Sequence, residues 1–229
     1  MGTSSARRGP TTALWRAAKG SATRYLSPGA GGEVSAREVV SRYLAALAET
    51  PGQGEALAAF RVTRKVAQDL GALGQEVAVR GWEAALAGRG LAPLAGGPPE
   101  LLAPGVAGVL AGSGGGLEEA VVRTALALVI REAVQSRDRM EPAQVVRRFL
   151  VTAVHLRLVL DLGEPLEAAA GSSGRLRDGL SRIMARIEAG ALAANDAPPA
   201  PPDTPGLWQG LTGWTWVTGV MAGLLKNLG

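Results

Sequence analysis

The chain has 229 residues with no cysteine, one histidine (His155) and only 4% aromatic residues, while 47% of its residues are apolar. Disulfides and thiolate metal sites are therefore excluded, and a histidine-based metal site or catalytic triad would have to depend on His155 alone. The apolar residues are mostly alanine and leucine, and glycine is abundant. This composition favours close helix packing over a β-sandwich, which needs β-branched and aromatic residues.

Positive charge is concentrated at the N-terminus. Residues 1–32 carry five basic side chains and no acidic one, so the remainder of the chain is close to neutral. A basic tail can meet nucleic acid, an anionic membrane or an acidic protein. Because no groove-reading motif accompanies these charges, nucleic acid is not an expected partner. No apolar segment of the signal-peptide type follows the early basic residues, so a secretory signal is not expected.

Residues 1–34 are predicted to form a flexible basic tail that contains one short helix. The opening MGTSSARRGPTT is small, polar and basic, which is typical of an extended, mobile segment. Thr12 can cap the helix that follows, in which Trp15 and Ala22 lie near one face. A glycine- and proline-containing breaker, SPGAGG, ends this region.

A helical body is predicted over residues 35–195, and its first helix begins with a capping box. Ser35 can accept a hydrogen bond from the backbone of Glu38, which stands three positions later. The turn TPGQG then separates this helix from the next one.

The central helix of the body is predicted within residues 55–91. Apolar residues recur there at steps of three and four, which places them on one helical face: Ala59, Val62, Val66, Leu70, Leu73 and Val77. Gly71 and Gly74 lie beside that face and indicate close approach by another helix. Gly81 permits a bend before a second apolar face begins.

Three more helices are predicted in the second half of the body. They cover residues 117–134, residues 143–162 and much of residues 172–195, with Pro142 as a first-turn proline and Gly163 as a C-cap. The GSGGG sequence before the first of them is not a phosphate-binding loop. Acidic residues follow it, where a P-loop has Lys-Ser or Lys-Thr.

The C-terminus is predicted to be a separate hydrophobic helix, residues 207–229, behind a proline-rich linker, residues 196–206. Its candidate interface residues are Trp208, Trp214, Trp216, Val217 and Met221. Trp214 shares a helical stripe with Val217 and Met221, so Trp214 rather than Trp208 is the expected anchor. No charged residue occurs from Thr204 to Leu225. This leaves three hypotheses open: docking on a partner, docking on the chain itself, and membrane association.

These features predict an all-α protein, an irregular helical bundle with a basic tail and a hydrophobic C-terminal helix. Catalytic residues, a metal site and a cofactor are not expected, because no acid pair, no nucleophile with its base and no metal cluster stands out. A cytoplasmic location is expected, with membrane association through residues 207–229 as the alternative.

Two parts of the sequence resemble the QatB family of Qat anti-phage defence systems. The first is the N-terminus, with MGTSS, then Gly9-Pro10 and the W-R-A-A-K…R-Y sequence that starts at Trp15. The second runs from Tyr43-Leu44 through LGALGQEVAVRGWEAALAGRGLAPLAG to GSGGGLEEAVVRTAL. The resemblance covers about residues 1–130 and lies in the order of several motifs.

The resemblance implies a non-enzymatic adaptor or substrate subunit of a defence complex. Qat operons also encode an ATPase, a TatD-like nuclease and an enzyme similar to the deazapurine synthase QueC. The QueC-like protein and the ATPase are therefore the implied partners. The implied target is the N-terminal tail, with Gly2 as the modified residue and Thr3 and Ser4 as its context. From their charge, Arg7 and Arg8 are expected to hold an acidic rim of the partner. The alternative hypothesis is a membrane-active effector that acts through its hydrophobic C-terminal tail.

Overall fold

The computed structural model describes residues 12–27, 34–49, 56–135, 141–193 and 200–229, and these residues form nine α-helices, two 3-10 helices and no strand. The predicted all-α fold is confirmed. The helices are α1 (Ala13–Leu26), α2 (Ala36–Ala48), α3 (Arg61–Ala87), α4 (Pro99–Ala111), α5 (Leu117–Gln135), α6 (Pro142–Ala170), α7 (Ser173–Ala193), α8 (Pro205–Gln209) and α9 (Leu211–Leu228). The 3-10 helices are Ala56–Phe60 and Ala92–Leu94.

Side-chain caps fix where the first two helices begin. The Thr12 hydroxyl accepts a hydrogen bond from the backbone N–H of Trp15 at 3.4 Å, and Ser35 accepts one from Glu38 N–H at 3.1 Å. Each bond satisfies one of the free N–H groups of a helix start. Both predicted caps are confirmed, and α6 begins at Pro142 as expected.

The predicted C-cap at Gly163 is wrong, because α6 continues to Ala170. Leu162 and Leu166 lie on either side of Gly163 and are both fully buried. They are four residues apart and therefore lie on the same helical face. The free energy gained by burying both side chains exceeds the helix-propensity cost of Gly163 and Pro165.

Contacts divide the chain into two compact units. The first unit contains α1, α2 and residues 158–186. In its core, the rings of Trp15 and Tyr43 meet edge to face with 6.0 Å between centroids. The Tyr43 hydroxyl donates to Asp161 Oδ2 at 2.8 Å, so this hydrogen bond joins the second half of α6 to α2.

The second unit contains residues 60–157 and 187–227. Its core is built from large side chains that are almost completely buried, including Phe60, Leu70, Leu73, Leu86, Leu126, Ile130, Phe149, Leu150, Trp208 and Trp216. The expected order was one body followed by a separate C-terminal helix. In the structure α8 and most of α9 belong to the second unit, because two of their tryptophans complete its core.

Helix α3 bends where the sequence indicated. Gly81 has φ 78° and ψ 166°, a conformation that is open essentially to glycine alone. The residues on either side of the bend are joined by a two-pronged ion pair between Glu76 and Arg89, one prong of which is Arg89 Nη2 to Glu76 Oε1 at 3.1 Å. The predicted bend is confirmed.

The close helix approach predicted at Gly71 and Gly74 is also confirmed. A Cβ atom at Gly71 would collide with the ring of Trp208, and a Cβ atom at Gly74 would lie 3.2 Å from Pro142 Cα. Both glycines are buried in α3. They are therefore required by contact with α8 and with the start of α6.

Gly71→Ala and Gly108→Ala should change stability in opposite directions. Alanine favours a helix over glycine by about 1 kcal/mol at either position. At Gly108 of α4 the new methyl group meets open space, so stability should rise. At Gly71 the methyl group collides with Trp208, and the resulting overpacking should cost about 1–3 kcal/mol. Urea unfolding of both variants measures this difference, and a stabilised Gly71→Ala variant would contradict the packing.

Candidate functional site

Four residues of α3 form a stripe that receives the C-terminal segment, defined here as residues 200–229. Arg64, Gln68, Gly71 and Gln75 are spaced by four, three and four positions, which places them on one face of the helix. We call them the docking stripe. Each contacts a different part of the C-terminal segment.

At the middle of the docking stripe, Trp208 of α8 lies against Gly71. The side chain is fully buried, and the lack of a side chain at Gly71 makes room for the indole. Trp208 also meets Trp216 of α9 edge to face, with 5.1 Å between ring centroids. This geometry is favourable for aromatic pairs. The two tryptophans thus join α8, α9 and α3.

Two glutamines hold the segment on either side of Trp208. Gln68 Nε2 donates to the carbonyl of Gly210 at 2.8 Å, and Gln75 Nε2 donates to the carbonyl of Asp203 at 2.7 Å. Both acceptors belong to the backbone. The two glutamines therefore fix the position of the segment through its backbone, and these hydrogen bonds do not depend on its side chains.

Arg64 completes the docking stripe at its N-terminal end. Its Nη1 donates to Thr218 Oγ1 at 3.3 Å, and its guanidinium lies 4.8 Å from the ring centroid of Trp214. Such a cation–π contact contributes about 0.5–1 kcal/mol when it is exposed. Trp214 is half-buried, whereas Trp208, Trp216, Val217 and Met221 are buried.

Burial within the chain ranks the tryptophans in a different order from the one expected for an interface. Trp214 was expected to be the anchor because it shares a stripe with Val217 and Met221. In the structure Trp208 is the deeply seated ring, because Gly71 provides space for it on α3. The helical spacing of α9 could not show this, since the recess lies 137 positions earlier in the sequence.

Glu118 joins a second pair of helices, and sequence reasoning missed this role. Its Oε1 accepts from the backbone N–H of Thr63 at 2.8 Å and from the Thr63 hydroxyl at 3.0 Å. Phe60, the N-cap residue of α3, makes no side-chain cap. Glu118 at the start of α5 therefore caps α3 from outside. Burial raises the pKa of Glu118, while the bonds from Thr63 and the charge of Arg157 act in the opposite direction.

The predicted tail residues Gly2, Thr3, Ser4, Arg7 and Arg8 all lie outside the described residues. Of the remaining candidates, His155 lies half-buried in α6. Within the described ranges, no group of three or more histidine, aspartate or glutamate side chains is placed to hold a metal ion. Among the same residues, no helix combines the length and the apolar character needed to cross a membrane.

A model of the QatB family, described as Qat anti-phage system associated protein QatB, matches residues 51–188, which is more than half of the chain. The chain belongs to the QatB family. It is therefore a component of a Qat anti-phage defence system. No curated protein and no solved structure matches the chain.

The QatB match differs in range from the resemblance noticed in the sequence. It begins at residue 51, after the N-terminal motifs, and it continues past Leu162 to residue 188. It includes the docking stripe, Glu118 and most of α7. The C-terminal segment lies beyond it, so the match covers the stripe without the residues that the stripe binds.

Glu118 should give the protein a measurable pH dependence. Its pKa is higher in the folded state than the ordinary value of 4.5, so the folded state binds this proton more tightly than the unfolded state. The associated stability is complete below the unfolded-state pKa and is lost as pH rises through the folded-state pKa. Glu118→Gln keeps an acceptor for Thr63 and removes the titration. The melting temperature of the wild type, relative to this variant, should therefore fall as pH rises from about 4 to 7.

Glu119→Gln serves as the control for Glu118→Gln, because it removes the same charge one position further along α5. The Glu119→Gln variant should keep the pH dependence of the wild type. If the melting temperatures of the wild type and of Glu118→Gln changed with pH in parallel, the assignment of this titration to Glu118 would be contradicted.

Alanine substitutions should separate Trp208 from Trp214. Trp208→Ala removes a fully buried ring and should cost about 3–5 kcal/mol of unfolding free energy. Trp214→Ala removes a half-buried ring and its contact with Arg64, so the cost should be clearly smaller. Denaturant unfolding followed by far-UV circular dichroism measures both values. Equal losses of unfolding free energy would show that the contact between Trp208 and Gly71 stabilises the protein no more than the contacts of Trp214 do.

Proposed function

We propose that this QatB-family protein is a non-enzymatic adaptor or substrate subunit of its defence system. In this proposal its N-terminal glycine tail is bound or modified by a QueC-like partner, and an ATPase subunit is a further candidate partner. The observation that carries the proposal is the family match over residues 51–188, which makes the chain part of a multi-component system.

The polar contacts of the second unit support an adaptor role. Gln68 and Gln75 bind backbone carbonyls, and Glu118 caps α3. Gln68 and Gln75 hold the backbone on either side of α8 to α3, and Glu118 holds the start of α5 to α3. Such contacts within the second unit suit a protein that presents a segment to a partner.

The firm attachment of α1 supports the tail as the presented segment. Trp15 is buried near the start of α1, and the Thr12 hydroxyl donates to Glu49 Oε2 at 2.6 Å. The helix that follows the tail is therefore fixed to α2. The chain that precedes Thr12 is thus attached at a defined point on the first unit.

The sequence of the tail fits threading into a narrow site. Gly2 to Ala6 are small, so little side-chain bulk opposes close approach to their backbone. Arg7 and Arg8 can pair with an acidic rim, each pair contributing about 0.2–1 kcal/mol when exposed. Pro10 fixes its own φ and restricts Gly9, which ends the threaded stretch. With Met1 removed, the Gly2 amine would be the reacting group.

Gly2→Pro should abolish modification and leave the fold intact. Proline replaces the primary amine by a hindered secondary amine, and residue 2 precedes all the described helices. Intact mass spectrometry of protein co-expressed with its operon neighbours measures the modification, and circular dichroism checks the fold. Thr11→Pro is the matched control, since it introduces the same residue beyond the threaded stretch and away from the amine.

A second variant tests binding of the partner separately from modification of the N-terminus. Arg7→Ala/Arg8→Ala should weaken capture of the QueC-like partner, and added salt should weaken wild-type capture in the same direction. An unmodified N-terminus in the co-expressed wild type, together with full defence after deletion of residues 2–10, would overturn the tail proposal.

A further inference from the structure

The outer side of α1 is basic. The helix carries Arg16, Lys19 and Arg24 and no acidic residue, and the side chains of Arg16 and Arg24 are exposed. We define the basic face of α1 as these three residues together with Gly20 and Thr23, which lie between them. We propose that the basic face is a docking surface for the acidic protein that binds the N-terminal tail. This inference rests on the proposed function and adds a second contact to it, outside residues 2–10.

The cations of the basic face have no acidic partner within the described part of the chain. No salt bridge among those residues includes Arg16, Lys19 or Arg24. By contrast, Arg42 of the neighbouring helix α2 pairs with Glu38 one turn away, at 2.6 Å. Carboxylates of another protein can therefore pair with the cations of α1 without breaking any of these salt bridges.

Helix stability does not account for all of these charges. The macrodipole of a helix favours acidic residues near its start and basic residues near its end. Arg24 lies in the last turn of α1, where a cation is favourable. Arg16, however, is the fourth residue of the helix, and the first turn contains no acidic residue. The charge at the start of α1 therefore does nothing to stabilise the helix, and binding to an acidic surface gives it a role.

Contacts on the other side of α1 fix the orientation of the basic face. Trp15 and Leu26 are buried in the first unit. The Tyr25 hydroxyl donates to the carbonyl of Gly179 in α7 at 3.1 Å, and a Cβ atom at Gly179 would lie 2.5 Å from Leu26 Cδ2. Since α1 is held this closely, its outer side is a preformed surface, which lowers the entropy lost when a partner binds.

The length of the tail limits how far its partner can be from the basic face. Residues 2–11 can span at most about 35 Å, and Arg8, four positions before Thr12, lies at most about 14 Å from it. Arg16 is four positions after Thr12, about 6 Å along the helix. An acidic rim that holds Arg7 and Arg8 is therefore close enough for the same acidic surface to meet Arg16.

The basic face suits carboxylates better than nucleic acid. Proteins that bind single strands commonly stack bases on aromatic rings. Of the two aromatic rings of α1, Trp15 is buried, and the Tyr25 hydroxyl accepts from Arg182 Nε at 3.2 Å while that guanidinium lies over its ring. The Thr23 hydroxyl donates to the carbonyl of Lys19 at 3.1 Å, so this donor is already used. Cations without a stacking ring favour an acidic protein surface.

Arg16→Glu in the full chain tests this surface. The change removes one attraction and adds one repulsion, so binding to the immobilised, purified QueC-like protein should weaken several-fold at low salt in biolayer interferometry. Added salt should reduce the difference from the wild type. The variant should fold as well as the wild type, because a glutamate near a helix start is favourable. Thermal unfolding followed by circular dichroism checks this.

Arg177→Glu is the matched control, because it makes the same change of charge on α7 in the same unit. Gly179 faces α1, and the exposed Arg177, two positions earlier, lies about 200° around the helix from it. This variant should bind like the wild type. Arg24 is about 12 Å farther along α1 than Arg16, so Arg24→Glu should weaken binding less than Arg16→Glu.

Two further measurements separate docking from modification. A chain that lacks residues 2–10 keeps the basic face, so it should retain weak binding, and Arg16→Glu should remove this residual binding. In the full chain, Arg16→Glu leaves the Gly2 amine unchanged. It should therefore raise the partner concentration for half-maximal modification several-fold and leave the maximal rate unchanged, as followed by intact mass spectrometry.

Equal binding of Arg16→Glu and Arg177→Glu overturns the inference, and the proposed function survives if deletion of residues 2–10 still abolishes binding. The reverse result, binding that resists the deletion and is weakened by Arg16→Glu, overturns the tail proposal and supports the basic face. Both fail if the QueC-like protein does not bind the wild type. The inference is also overturned if Arg16→Glu weakens binding only to a short duplex DNA or to phosphatidylglycerol vesicles, because the face then serves a different polyanion.

Discussion

The contact between Trp208 and Gly71 is the constraint on which the second unit depends. A fully buried indole needs space, and α3 provides that space by having no side chain at this position. The contact sets how closely α8 approaches α3, and Trp216 then places α9 against the same ring. The glutamine bonds on either side act only after this distance is set, since a longer separation would put both backbone carbonyls out of reach.

Local pattern in the sequence accounts for much of this fold. Thr12, Ser35 and Pro142 start helices for reasons contained within four residues, and the apolar spacing before Gly81 defines α3. Gly71 and Gly74 could be interpreted as close contacts because a glycine within a long helix is costly unless packing requires it. These signals depend on neighbours in the chain, and the structure confirms them.

Features that depend on contacts between residues far apart in the sequence could not be predicted from local pattern. Glu118 is one of the acidic residues that follow GSGGG, and its partner Thr63 is 55 positions away. Gly163 was predicted to end α6, but the helix continues because Leu162 and Leu166 are buried on one of its faces. Trp208 appeared secondary to Trp214 because helical spacing describes one face and contains no information on what covers it.

Gly81 has a consequence for how this chain can vary. A continuous helix transmits every insertion or deletion as a rotation of about 100° per residue to all the positions that follow it. The glycine conformation at φ 78° interrupts that transmission, so the face presented by residues 82–87 is set independently of the docking stripe before it. A one-residue insertion between Gln75 and Gly81 therefore need not turn residues 82–87 by the 100° that a continuous helix would impose.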